Sequence, residues 1–448
     1  MRFYGREEEI HLLRKELDLA MRNKAGRLTV VCGRRRIGKT TLILKAFDSA
    51  SCPVIYFFAG KRTQESELIA SWTEALGEAL SLPCKPAFAN INEILEFLLK
   101  ASAKSPLVVV IDECQELERS VNAFWSCLRE SWDRFHRESE LVLVMSGSSA
   151  DAFRRIFSDA SEPLYGRTDL LLEIEPFDNA LLTAIARHEF PGIPREDLLT
   201  LYALTGGIPR YVEFFVDNGV GNTNDMINMV FSLEGAWFRE EGNVLLANEF
   251  RMESPVYQSI LTAVARGANE WSAISGKTGR ADVTVYLSRL ENIFKLIEKR
   301  APLNGRLAGK GVRYYLSDPF FKFWYRFVNP LDQRSLAARA QWQRLQDYCR
   351  ENWPTYTGRT LEDWFLARYR SDRQWDQVGP WWDRRGESEI NLVAVSHADK
   401  KLVFAEVKRN PERLDMQALH VKGEAFLKAN GALAGYEQEY RGLSLEDI

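Results

Sequence analysis

The sequence predicts an α/β protein: a parallel sheet covered by helices, a helical stretch, a small helical unit closed by a hairpin, and a second, smaller α/β unit. Three observations predict it. Five short apolar runs alternate with helix-like segments through residues 1–175. From Pro176 the apolar spacing becomes helical. Residues 351–448 return to mixed strand and helix.

The runs are 28–32, 54–58, 107–111, 141–145 and 170–174, separated by helical patterns such as 68–80 and 91–101. Nearly continuous apolar runs, rather than alternating ones, mark strands buried on both faces, and strands alternating with helices make a parallel sheet. Segments 179–188, 195–205 and 211–216 read as helices and suggest a lid after the sheet. Helix-like 257–265, 271–276 and 282–291 precede strand-like 294–300 and 311–316, with Gly305 and Gly309 between the two strands. Three helices and a hairpin are the winged-helix order. Residues 331–350 are polar and helical, as in a connector. The expected domains are 1–175, 176–250, 251–330, 331–350 and 351–448.

Composition excludes several classes. The 448 residues carry a net charge of −3, so any basic surface is local. The six cysteines form no CxxC pair and the five histidines do not cluster with them, which argues against a zinc site or a disulfide framework. Cys32 and Cys114 adjoin apolar runs and are expected to be buried and reduced. No apolar run reaches the roughly 18 residues of a membrane span. The charged N-terminus lacks a signal-peptide core, so the expected location is cytoplasmic with no membrane partner.

The chemistry gathers at the ends of the runs. Gly33-Arg34-Arg35-Arg36-Ile37-Gly38-Lys39-Thr40 matches GxxxxGK[ST] at every fixed position, after a strand-like run and before a helix-like segment from Thr41. In that context it is a P-loop. Its glycines let backbone N–H groups converge on phosphate, and the helix adds positive potential at its N-terminus. Lys39 would reach the β and γ oxygens, and the Thr40 hydroxyl would ligate Mg²⁺. The third run ends in Asp112-Glu113, a Walker B pattern. Asp112 would hold Mg²⁺ and Glu113 would act as general base on water. The expected ligands are therefore ATP and Mg²⁺. Ser146, in Ser146-Gly147-Ser148-Ser149, is the candidate hydroxyl to sense phosphate, because ligands bind at the carboxyl ends of parallel strands. Arg167 and Arg210 are candidate phosphate sensors, since a rigid guanidinium suits phosphoryl charge.

These pieces occur in the order Phe3-Tyr4-Gly5-Arg6-Glu7, P-loop, Ile111-Asp112-Glu113 with Gln115, Ser-Gly-Ser-Ser, Tyr165-Gly166-Arg167 and Gly206-Gly207-Ile208-Pro209-Arg210-Tyr211. That order resembles the archaeal-type ATPase family, a branch of AAA+-like and STAND-like P-loop ATPases, over nearly the whole chain. The resemblance implies a nucleotide-base role for Tyr4, Gly5 and Arg6 and a sensor-2 role for Arg210. It also implies a restriction-endonuclease-like C-terminal domain.

Residues 251–330 hold thirteen Arg and Lys against six Asp and Glu, a net +7. A basic winged helix in a weakly acidic chain is the expected footprint for duplex DNA. Lys277, Arg280, Thr284, Tyr286 and Arg289 would lie on or beside the third helix, and Lys299, Arg300, Arg306 and Lys310 on the wing. In the C-terminal segment, Thr357 to Glu362 is expected to begin a helix, with strands at 389–394 and 402–408. Glu362, Glu389, Glu406 and Lys408 fit a PD-(D/E)xK pattern, in which carboxylates hold Mg²⁺ and a lysine activates water. Asn391 stands where that pattern has Asp, which favours a nuclease-like fold without cleavage. The expected function is an ATP-hydrolysing switch that contacts DNA. The alternatives are an ATP-controlled Mg²⁺-dependent DNA nuclease and a signalling ATPase that oligomerises through its C-terminal half without touching DNA; the expected protein partners are a further copy of the chain or another protein.

Overall fold

The computed structural model describes residues 1–448 except 62, 149, 249, 251, 253, 306 and 308–310. The chain forms two compact units, Arg2–Pro176 and Phe177–Ile448, the second also taking in Met1. Of the sequence-predicted positions, Ser149, Arg251, Glu253, Arg306, Gly309 and Lys310 lie outside the described residues.

In the first unit, β1 (Arg27–Gly33), β2 (Val54–Phe58), β3 (Leu107–Asp112), β4 (Leu141–Gly147) and β5 (Leu170–Ile174) form one sheet, in the order β2-β3-β4-β1-β5. Every pair is parallel. All residues of β3 and β4 are buried, which is why their sequences run apolar without alternation. Helices Glu65–Ala79, Ile91–Ala101 and Phe124–Phe135 supply Leu68, Trp72, Leu95, Leu98 and Trp132 to a core shared with Ile55, Val109 and Leu143. Within it the rings of Phe57 and Trp72 stack with centroids 4.5 Å apart. Asn90 caps the second of these helices, its side chain accepting from the Glu93 amide. A further helix, Glu7–Asn23, was not anticipated from the charged N-terminus; it buries Leu13, Leu17 and Ala20, spaced along one face. Cys32 and Cys114 are buried and free.

In the second unit, helices Asn179–Glu189, Arg195–Thr205, Pro209–Asp217, Thr223–Val230 and Ala236–Asn248 come first. Helices Pro255–Ala265, Trp271–Thr278 and Thr284–Asn292 follow, and then the antiparallel hairpin of β6 (Ile297–Arg300) and β7 (Arg313–Leu316). This is the helix and hairpin order read from the sequence. The next segment, from Pro319, buries Phe320, Phe321, Phe323, Trp324, Tyr325 and Phe327. Phe320 packs on Tyr211 and Phe238, at centroid distances of 4.7 and 5.2 Å, and so joins the early helices to the rest of the unit. Helix Trp342–Ser371 then runs 30 residues. Thr357 to Glu362 lies inside it, not at its start, because Thr357, Thr360 and Leu361 continue its buried face.

The last sheet has the order β11-β10-β9-β8, from β8 (Gln377–Trp382), β9 (Glu389–Ser396), β10 (Lys401–Val407) and β11 (Glu437–Leu443). β8, β9 and β10 are antiparallel neighbours, and β11 runs parallel to β10 after the helix Met416–Ala429. Trp381 belongs to β8 and packs with Ile390, Val393, Phe404 and Phe426.

Candidate functional site

β1 ends at Gly33, and the chain turns through Arg34, Arg35, Arg36 and buried Ile37 before the helix Lys39–Phe47 begins. Gly38 caps that helix at φ 86°, and nothing lies within 4 Å of where its Cβ would be. Glycine is needed there for its backbone conformation, not for space. The Lys39 ammonium turns into the loop and donates to the carbonyls of Gly33 at 2.8 Å and Arg34 at 3.2 Å. The loop thus carries a buried ammonium at a helix N-terminus, the field an anion needs. Thr41 is exposed on the first turn.

Across the sheet edge, β3 delivers Asp112. One of its carboxylate oxygens accepts from the Thr40 hydroxyl at 2.7 Å and from the Tyr56 hydroxyl at 2.6 Å. Burial works against the charge on Asp112, but hydrogen bonds from Tyr56, Thr40 and the Glu113 amide outweigh it and hold the carboxyl below the usual carboxylate range. Burial first, and then Asp112, push the Tyr56 phenol well above its ordinary value. Thr40 and Asp112 are hard oxygen donors side by side, the chemistry Mg²⁺ takes, and Lys39 supplies a cation for phosphate. The residues present fit ATP with Mg²⁺.

Glu113 follows in a left-handed conformation, φ 53° and ψ 35°. A non-glycine residue there costs about 1–3 kcal/mol, and such strain gathers at functional sites. The turn brings the Glu113 carboxylate to the side-chain amide of Gln115 and, at 3.2 Å, to the Ser148 hydroxyl, both donating. Gly147 makes room for this. A Cβ there would lie 2.0 Å from Gln115 Oε1 and 2.6 Å from the Phe153 ring.

Ser146, the hydroxyl selected from sequence, is fully buried in β4 beside Asp112, whereas Ser148 donates to Glu113. Ser148 lies past the end of β4, where the chain leaves the strand, so the two serines meet different neighbours, and the sequence motif alone did not rank them. Tyr56 was read only as part of an apolar strand. Its signal was a phenol inside a run otherwise without polar atoms, which needs a partner when buried. Arg167 grips Asp133 with two hydrogen bonds of 2.7 Å and donates to the carbonyls of Pro163 and Tyr165. It is a brace in this structure. Gly5 and Arg6 both have positive φ at the start of helix Glu7–Asn23, and Tyr4 beside them is half-buried. The Arg6 guanidinium donates to Glu9 at 3.0 Å and to the Glu175 carbonyl. Arg210 belongs to the second unit, where it pairs with Glu213 at 2.5 Å and lies over the Trp237 ring.

In the second unit, the third helix of the winged-helix-like segment buries Leu287 and Leu290 and exposes Thr284, Val285, Ser288 and Arg289. Lys277 and Arg280 are exposed beside it, and Tyr286 is half-buried under the Arg280 guanidinium. The wing expectation fails for Arg300. It lies between Glu298 and Asp363 at 2.9 Å from each, and Lys322 also reaches Asp363 at 2.8 Å. Burial opposes the Arg300 charge, but Asp363 and Glu298 more than offset it. Lys299 sits 3.6 Å from Glu291.

The nuclease-like residues are also engaged. Asn391 Oδ1 accepts from the Val407 amide at 3.0 Å, which ties β9 to the end of β10. Glu389 pairs with Arg313 at 2.9 Å. Glu406 is approached by Lys408 at 3.3 Å and Lys422 at 3.7 Å, and accepts from the Asp415 amide. Burial first, and then Asp363 and Glu389, push the Glu362 carboxyl up to about 7. Among the described residues no three His, Cys, Asp or Glu side chains gather closely enough to hold a metal ion, and no helix is long and apolar enough to cross a membrane.

Residues 3–215 match a family described as "ATPase domain predominantly from Archaea". Residues 324–418 match one described as "Archaea bacterial proteins of unknown function". An uncharacterized protein of Methanocaldococcus jannaschii is 27% identical over 422 residues, covering 91% of this chain and 87% of its own. Among solved structures, the Walker-type ATPase of Pyrococcus abyssi is similar with a TM-score of 0.54 and 21% identity, covering 72% of this chain and 96% of its own. The ORC2 protein of Aeropyrum pernix, solved as ADPNP-ADP complexes, has a TM-score of 0.50 at 16% identity, covering 75% of this chain and 96% of its own. Likeness at that identity establishes the fold.

Gly147→Ala tests the Glu113 arrangement. The added methyl should expel Gln115, leave ATP affinity unchanged and lower hydrolysis about tenfold or more, since small misplacements at a reacting centre are costly. Binding and turnover assays on the purified chain check this; unaltered turnover would remove Gln115 from the site.

Proposed function

We propose that this chain, whose residues 3–215 match the archaeal ATPase domain family, is an ATP-driven switch that contacts DNA. The observation that carries the ATP part is the Thr40–Asp112 hydrogen bond of 2.7 Å beside the Lys39 loop. That the ORC2 protein of similar fold was solved with ADPNP and ADP supports a nucleotide in this loop. Lys39 and the loop N–H groups would bind the β and γ oxygens. Thr40 and Asp112 would hold Mg²⁺, which would offset the phosphate charge. Tyr56 is the positioning residue that keeps Asp112 ionised and oriented. Glu113, aimed by Gln115 and Ser148, takes a proton from the attacking water.

DNA contact rests on charge and exposure together. The 251–330 segment is basic at +7, and its third helix presents Thr284, Ser288 and Arg289 with Lys277 and Arg280 alongside. An exposed helix flanked by cations is how such a fold enters a major groove. The C-terminal sheet we read as nuclease-like in fold and non-cleaving. Asn391 is spent on the Val407 amide, and Glu389 is neutralised by Arg313.

Two experiments test the reading. Lys39→Ala should abolish ATP binding, while Glu113→Gln should bind ATP and lose turnover by about 10²-fold or more; full hydrolysis by Glu113→Gln would take the base assignment away. Duplex DNA binding should weaken with salt, and Arg289→Ala should reduce the slope of log affinity against log salt by about one. The duplex should stay intact with Mg²⁺ or Mn²⁺. A salt-independent shift, or cleavage that disappears in Lys408→Ala, would contradict the DNA part.

A further inference from the structure

The second unit carries an open cavity of about 480 Å³ where the basic segment 251–330 meets helix Trp342–Ser371 and β9. Its wall includes six cationic side chains, Arg266, Arg300, Arg313, Lys322, Arg326 and Arg359, against three acids, Glu362, Asp363 and Glu389. The acids do not balance the cations. Asp363 is shared by Arg300 and Lys322, and Glu389 is taken by Arg313. Arg266, Arg326 and Arg359 have no carboxylate within ion-pair distance among the described residues. Arg326 makes one long contact of 3.4 Å, to the Asn352 side chain. The third acid, Glu362, is held partly protonated at neutral pH by burial and its acidic neighbours. Three guanidinium groups therefore line one solvent-open space, with the partly protonated Glu362 beside Arg359. Guanidinium forks match phosphate oxygens in pairs. The remaining wall mixes Val264, Leu316, Tyr315 and Tyr356 with Asn269 and Thr360, so it has apolar surface and hydrogen-bonding groups for an organic moiety. The volume falls within the 300–1,000 Å³ range of small-molecule sites.

We infer that this cavity is a binding site for a compact phosphate-bearing ligand, held by Arg266, Arg326 and Arg359. It lies beside the candidate nuclease residues Glu362, Glu389 and Asn391. The Glu389 carboxylate would serve as the counter-charge that fixes Arg313, and Glu362 and Asn391 would shape the pocket, rather than any of them acting as a metal ligand.

Isothermal titration of full-length Lys39→Ala, in which the P-loop lysine is absent, tests this with AMP and inorganic pyrophosphate as probes. At least one probe should bind saturably at one per chain. Arg326→Ala and Arg359→Ala should each weaken it about tenfold or more. Arg266→Glu, at an exposed position, should do the same, while Lys428→Ala, exposed on helix Met416–Ala429 and outside the cavity wall, should not. A short DNA duplex that displaces the probe would identify a phosphodiester backbone as the phosphate source; failure to displace it would identify a free phosphorylated ligand. No saturable binding of either probe, or binding that all three arginine variants leave intact, overturns the site.

Discussion

One carboxylate holds the first unit's chemistry together. Asp112 receives the hydroxyls of Thr40 and Tyr56, so the P-loop helix, β2 and β3 meet at a single buried charge. The parallel register makes this possible, because it brings the carboxyl ends of β1, β3 and β4 to the same edge. Those donors and the Glu113 amide outweigh its burial and favour its ionised form. Removing one of them costs more than an ordinary hydrogen bond, since an unsatisfied buried carboxylate is expensive. Glu113 is bound by the same constraint: with Asp112 turned inward, its own carboxylate reaches Gln115 and Ser148 only through a left-handed backbone.

The parallel sheet was legible because its strands are buried on both faces and so read as unbroken apolar runs. The loop was legible because phosphate binding demands residues at fixed spacing. What escaped the sequence depends on three-dimensional neighbours. Tyr56 sits in an apolar run and becomes part of the site only through the pairing of β2 with β3. Gly147 matters because Gln115 and Phe153 crowd it, and neither is its sequence neighbour. Ser146 and Ser148 look equivalent in sequence, yet Ser146 is buried within β4 and only Ser148 donates to Glu113.

The second unit shows the limit of counting charge. A net +7 over 251–330 is a property of the chain, but Arg300, Lys322 and Arg313 spend their charge on Asp363 and Glu389 from later elements. Among the described residues, Lys277, Arg280 and Arg289 on the third helix and its flanks remain exposed. The substitution at Asn391 likewise gains a structural meaning, since its amide oxygen closes the end of β10 by accepting from Val407.

The central claim is that Asp112 couples nucleotide binding to the metal through Thr40. Titrating a fluorescent ATP analogue with and without Mg²⁺, on the wild-type chain and on Asp112→Asn, tests it most directly. The account predicts that Mg²⁺ tightens binding in the wild type and has little effect in Asp112→Asn. The same Mg²⁺ dependence in both proteins would contradict it.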